Sequence, residues 1–165
     1  MRIGSLKSIL FGSALLLATS APAFAQGTVG AGLSFLHDEG ATATGFTIDY
    51  ASVKPATDKA TFGVVGDFGL NKFDGGTVTS YLGGVRVAIP GNAKVKPFAQ
   101  FVIGAEHCCG STDLAFQPGA GVDFAVSPTL DVRVQVDFRT VRADGDTFNA
   151  QRYTFGIAIP VGAKQ

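Results

Sequence analysis

Three features of the sequence predict an all-β fold, an eight-stranded antiparallel up-and-down transmembrane β-barrel. Beyond its N-terminus the chain alternates with period two almost everywhere, as β-strands with two unlike faces do. One face of each strand is apolar, while the other carries charges of both signs and much glycine. Charged residues make up only 16% of the chain, against about 25% in an ordinary soluble domain, yet no later segment could cross a bilayer as an apolar helix. Apolar content dispersed in alternation is how a transmembrane barrel looks in sequence.

The N-terminus is read apart from the barrel. Arg2 and Lys7 precede an apolar run, Ile9–Ala18, and Ala23-Phe24-Ala25 supplies an A-x-A cleavage site. This is the pattern of a cleaved secretory signal peptide over residues 1–25, and the run is short of the about 20 residues that a membrane helix needs. Residues 26–165 then form a single domain that leaves the cytoplasm. Arg2 and Lys7 are two of the chain's 13 bases, so this domain holds 11 bases against 13 acids. Nucleic acid, which requires a basic patch, is excluded as a partner.

Eight strands follow, each close to the ~9–11 residues that a tilted membrane strand needs. The first, Thr28–Leu36, shows Val29, Ala31, Leu33 and Phe35 on one face. The second, Ala43–Ala51, sets Phe46, Ile48 and Tyr50 against Thr47 and Asp49, and the third, Thr61–Leu70, sets Phe62, Val64 and Phe68 against Gly63, Asp67 and Gly69. The fourth, Val78–Ile89, opposes Tyr81, Val85, Val87 and Ile89 to Leu82, Gly84 and Arg86, and ends at Pro90-Gly91-Asn92. The fifth, Val95–Ala105, opposes Ala99, Phe101 and Ile103 to Gln100, Val102 and Gly104, with Glu106 continuing the polar row. The sixth, Leu114–Val126, opposes Phe116, Ala120, Val122 and Phe124 to Gln117, Gly119, Gly121 and Asp123.

The seventh, Leu130–Arg142, is the most regular. Leu130, Val132, Val134, Val136 and Phe138 alternate with Asp131, Arg133, Gln135, Asp137 and Arg139. The eighth, Phe148–Val161, opposes Tyr153, Phe155, Ile157 and Ile159 to Arg152, Thr154, Gly156 and Ala158. Two turns set register. A three-residue loop at Ser127-Pro128-Thr129 places Val126 opposite Leu130 and Asp123 opposite Arg133. A two-residue type I′ turn at Asp144-Gly145, a strong hairpin signal, places Asp137 opposite Arg152.

The polar face is therefore expected to point inward as a paired charge ladder. Its acids are Asp49, Asp67, Glu106, Asp123, Asp131 and Asp137, and its bases Arg86, Arg133, Arg139 and Arg152. Every base on this face is Arg, the residue suited to buried, multiply bonded ion pairs. Lys54, Lys59, Lys72, Lys94, Lys96 and Lys164 fall in turns, near strand ends or at the C-terminus. Glycine at Gly30, Gly69, Gly119 and Gly121 fits a narrow interior in which large side chains stand against missing ones. On the apolar face Phe35, Phe46, Phe68, Phe116 and Phe138 fall toward one rim, and Tyr50, Phe62 and Phe124 toward the other, as interfacial girdles do. Pro97 and Pro118 stand within strands, where a closed barrel has no edge to absorb a missing donor.

Taken together, Phe98–Gly104, Val132–Asp146 and the final strand Tyr153–Val161 resemble the small outer-membrane β-barrels of Gram-negative-type bacteria, the porin-like and OmpA-like eight-stranded group. The resemblance covers residues 27–161, and Thr154, Gly156, Ile159 and Val161 are similar to that family's C-terminal assembly signal. It implies an outer-membrane location, outer-membrane lipid and the barrel-assembly machinery as partners, a monomer, and termini on the periplasmic side. The loops around His37–Ala41, Asn71–Gly76, His107–Asp113 and Ala143–Asp146 would then face outward.

Chemistry is sparse. Glu106-His107-Cys108-Cys109 is the one local cluster of metal-ligand residue types, and adjacent cysteines lack the C-x-x-C spacing of a shared ion. These cysteines could form a vicinal disulfide, pair between molecules or stay free. His37 and His107 fall at one rim with Ser34 and Ser111 near them in sequence, but no nucleophile elbow or HExxH motif accompanies them. No cofactor, metal or catalytic residue is assigned, and the expected role is a structural one in the envelope. Two alternatives carry different consequences: a soluble secreted or periplasmic barrel binding an apolar ligand, with the faces inverted, and a lipid-modifying membrane enzyme.

Overall fold

Period-two alternation forms a sheet only where both edges of every strand find partners, and here the sheet closes on itself. In the computed structural model, residues 27–38, 40–57, 60–89, 94–143 and 146–162 are described. The strands are β1 (Gly27–Asp38), β2 (Ala41–Thr57), β3 (Ala60–Phe73), β4 (Gly76–Ala88), β5 (Val95–Cys108), β6 (Ser111–Ser127), β7 (Leu130–Ala143) and β8 (Asp146–Val161). Each pairs antiparallel with its sequence neighbours, and β1 pairs with β8, so the order β1 through β8 is a closed up-and-down barrel. The expected signal peptide, Pro90-Gly91-Asn92 and the expected Asp144-Gly145 turn lie outside the described residues.

The strands run further than the alternation alone implied, because hairpin pairing continues to the turns. Phe73 pairs with Gly76 and Cys108 with Ser111, leaving two-residue connections at Asp74-Gly75 and Cys109-Gly110. Cys109 (φ 57°) and Gly110 (φ 89°) are both left-handed, as a type I′ turn demands. The expected loops around Asn71–Gly76 and His107–Asp113 are therefore mostly strand.

At the other end the Ser127-Pro128-Thr129 expectation needs correction. Ser127, not Val126, pairs with Leu130, and the register shifts between Ala125 and Ser127. The connection is a two-residue turn at Pro128-Thr129 beside a bulge at Val126, which is 65% exposed. A bulge plus a two-residue turn uses as many residues as a three-residue loop, so the body of the strand keeps its register and Asp123 pairs with Arg133. Asp137 pairs with Arg152 across β7 and β8.

Pro97 and Pro118 are accommodated without a bulge at either. β6–β7 pairing lapses at Gln117 and Pro118 and resumes unshifted at Gly119 opposite Asp137. Pro97 lies at the end of the β4–β5 ladder, where its carbonyl accepts a hydrogen bond from the Ile89 amide at 3.0 Å.

The two faces separate cleanly. Leu33, Phe46, Ile48, Val64, Phe101, Phe138 and Phe155 are exposed on the outside, whereas Asp67, Arg86, Asp123, Arg133, Asp137, Arg139 and Arg152 are buried within. The soluble alternative, with aliphatics inside and charges outside, is the reverse of this arrangement. An outer row of rings crosses three strands, with Phe46 and Tyr81 at 6.0 and 5.2 Å from Phe68.

Candidate functional site

The inside of the barrel is a stack of charged layers, built up from the end that carries the termini. Lowest among the described residues, Lys96 on β5 reaches in to Asp131 on β7 at 2.8 Å. Its position near a strand end hid this role, since a lysine stem can lie along the wall while its ammonium turns inward.

Above it Arg133 holds two carboxylates at once. Its Nε and Nη2 donate to Asp123 at 2.6 and 2.8 Å, and its Nη1 donates to both oxygens of Asp49 at 2.7 and 2.8 Å. Asp49 also accepts from Arg86 Nη2 at 2.9 Å, while Arg86 Nη2 and Nε donate to Gln100 Oε1 at 2.6 and 3.0 Å. The Phe98 ring stands between the two guanidiniums, 4.5 Å from that of Arg86 and 4.8 Å from that of Arg133. Its partner across the ladder is Gly121, and a β-carbon there would run into the ring.

The middle layer centres on Arg152. It donates to Asp67 through Nη1 and Nη2 at 2.8 and 2.7 Å and to Asp137 through Nε at 2.9 Å. Gln135 Nε2 completes Asp137 with bonds of 3.0 and 2.9 Å. In the upper layer Arg139 donates to Gln117 Oε1 at 2.7 Å, Glu106 Oε2 at 2.6 Å and Ser80 Oγ at 3.2 Å. Ser34 and Asn71 bond to each other beside it, with Asn71 Nδ2 donating to Ser34 Oγ at 2.9 Å.

Two of the ion pairs join neighbouring strands, Arg133–Asp123 and Arg152–Asp137. Register arguments reach only that far. Arg86–Asp49 and Arg139–Glu106 reach past one intervening strand, and Arg133–Asp49 and Arg152–Asp67 reach across the lumen past two. Gln100, Gln117, Gln135, Ser80 and Phe98 serve as partners that charge alone did not flag. Their parity was the available signal, because each shares the inward face of its strand with a charged or glycine position. One stretch of the inner wall is apolar instead, formed by Ala51, Val65, Leu82, Val102, Ala115 and Val141.

Above Glu106 and Arg139, at the end remote from the termini, the lumen opens into a cup of about 410 Å³. Leu36, Ala43 and Val78 pack at its wall with Phe73 and Cys108 against them. Cys108 and Cys109 are not disulfide-bonded, and their Sγ atoms lie 2.7 Å apart.

The rim histidines do not meet the serines. His37 Nδ1 bonds Thr42 Oγ1 at 3.0 Å and His107 Nδ1 bonds Thr112 Oγ1 at 2.9 Å, each across its own hairpin. Ser34 faces inward onto Asn71, and Ser111 Oγ donates to Asp113 at 2.7 Å. Among the described residues, no group of three or more His, Cys, Asp or Glu side chains gathers as a metal site would.

No family model and no curated protein sequence matches the chain. Solved structures do. Neisserial surface protein A aligns over 84% of this chain and 96% of its own at 16% identity, with a TM-score of 0.58. The outer-membrane enzyme PagL aligns over 83% and 100% at 16% identity and a TM-score of 0.55. Ail, the attachment invasion locus protein of Yersinia pestis, aligns over 84% and 99% at 16% identity and a TM-score of 0.53. The fold is thus that of the small eight-stranded outer-membrane β-barrels. Since these neighbours include an enzyme, the fold by itself assigns no activity.

Proposed function

We propose that this chain is an outer-membrane β-barrel of a Gram-negative-type bacterium with a structural role in the envelope, a sealed lumen and no catalysis. The observation that carries this reading is the inversion of its faces. Side chains that would form a soluble core clothe the outside, and the charged layers inside are tied by ion pairs that reach past one or two intervening strands. An apolar belt of that size is stable only against lipid. Residues 1–25 act as the export leader, lipid is the partner of the belt, and the assembly machinery folds the exported chain as a monomer. The Arg–carboxylate layers hold the barrel's shape, since their charges are matched to one another.

Fractionation of expressing cells tests this reading. The protein should pellet with outer membranes, come out only with detergent, and migrate differently on a denaturing gel before and after boiling. Recovery in the soluble periplasm without detergent would sink the proposal. An altered lipid A or phospholipid profile on overexpression, lost in a Ser111→Ala or His107→Ala variant, would replace it with the enzyme reading.

A further inference from the structure

We propose that the cup at the turn end of the barrel is a binding site for small hydrophobic ammonium compounds. At about 410 Å³ it falls within the roughly 300–1,000 Å³ typical of small-molecule sites. Its walls are mainly apolar, formed by Leu36, Val78 and Val141 and by the rings of Phe73 and Phe148. Aromatic faces attract cations as well as apolar groups.

The charges facing the cup are all of one sign. Asp38, Glu106 and Asp113 line it, and no basic residue stands among the described residues that do. The charge of Glu106 is already matched by Arg139 beneath it at 2.6 Å. Among the described residues, Asp38 at the end of β1 and Asp113 on β6 are matched by no such cation, and Asp113 takes only a hydroxyl bond from Ser111. The nearby cations point elsewhere: Lys72 is exposed, and Arg142 lies over the Phe116 ring, 5.6 Å from its centroid. An apolar cup bearing two aromatic rings and two unmatched carboxylates suits an apolar body with one positive head. It disfavours an anion of the same size.

The floor limits what the cup can do. Below it lies the Glu106–Arg139–Gln117 layer, and with the lumen sealed as proposed a bound cation enters and leaves by the mouth. The cup captures a cation at the surface and does not pass it through the barrel.

The test uses the full mature barrel in nanodiscs of zwitterionic phosphatidylcholine, followed by amide NMR. Benzyltrimethylammonium should shift the signals of mouth residues such as Ala41, Cys108 and Ser111 saturably, while benzyl alcohol and phenylacetate should bind at least about tenfold more weakly. Asp38→Asn with Asp113→Asn, which changes charge at nearly constant shape, should reduce the cation's affinity by about tenfold and leave that of benzyl alcohol unchanged. Equal affinities for the three ligands would overturn the proposal, as would a cation affinity indifferent to the two substitutions or no saturation below about 10 mM. Heat-modifiable migration of the variant confirms that the barrel being titrated is folded, so a negative result speaks to the cup and not to the outer-membrane reading.

Discussion

Arg152 shows what a single side chain must do inside this barrel. It is fully buried and serves two carboxylates from two strands, Asp67 at 2.7 Å and Asp137 at 2.8 Å. Removing one partner of a buried pair destabilises by about 3–5 kcal/mol, because the survivor keeps its desolvation penalty without its compensation. The two sides of this cluster are not equivalent. Asp137→Ala leaves Arg152 still paired with Asp67, whereas Arg152→Leu strands two acids at once. Urea unfolding in lipid vesicles should therefore show Arg152→Leu as the costlier change, with a loss at or above that range. Equal, negligible losses would mean that water reaches this layer. Glycines give the same contrast in steric form. A β-carbon on Gly119 would strike the Asp137 carboxylate, while one on Gly66 would meet nothing within 4 Å. Gly119→Ala should lower the unfolding midpoint and Gly66→Ala leave it unchanged or slightly raised, since an alanine that fits restricts the unfolded chain.

At the scale of the strand, β7 makes the outer face testable by depth. Val134 lies mid-strand and outward, paired with Val122 on one side and Phe155 on the other. Val134→Arg should cost about 2–4 kcal/mol in vesicle-based unfolding, and Val126→Arg, at the bulge beside the turn, no more than about 1 kcal/mol. Comparable penalties at both positions would argue against a bilayer around the belt. The strands also show what could be read in advance and what could not. Strict alternation made the two faces of β7 legible, because a one-residue slip would have reversed them both. The partnerships Asp123–Arg133 and Asp137–Arg152 were legible as well, since turn lengths fix the register of adjacent strands. The bulge at Val126 was not, because it conserves residue count. Arg133–Asp49 and Arg152–Asp67 were illegible for a different reason. They depend on how closure and stagger bring distant strands to one height, and no local pattern encodes that. Lys96 and Phe98 were overlooked where residue type was trusted above parity.

For the molecule as a whole, the layers act in series. Lys96–Asp131, the Arg133–Asp49–Arg86 cluster, Arg152–Asp67 and Arg139–Glu106 follow one another from the terminal end to the base of the cup. If the lumen is sealed as proposed, an ion crossing the barrel has to part each of them, in an eight-stranded interior just wide enough to be filled by side chains. The barrel inserted in a planar bilayer should accordingly carry no stable current steps in concentrated KCl. Stable steps in the unmodified protein would show that the layers rearrange, and the sealed-lumen reading would fall. The upper layer is the informative one to remove. Arg139→Ala takes away the cation that closes the floor of the cup and leaves Glu106, Ser80 and Gln117 facing a wider space, while Arg152 and Arg133 still close the lumen below. That variant should deepen the cup without opening a channel: benzyltrimethylammonium affinity should rise as Glu106 becomes unmatched, and the bilayer should stay silent. A current from this single change would place the whole seal in one arginine. Silence, together with tighter cation binding, would show that the cup and the seal are separate devices stacked in one barrel.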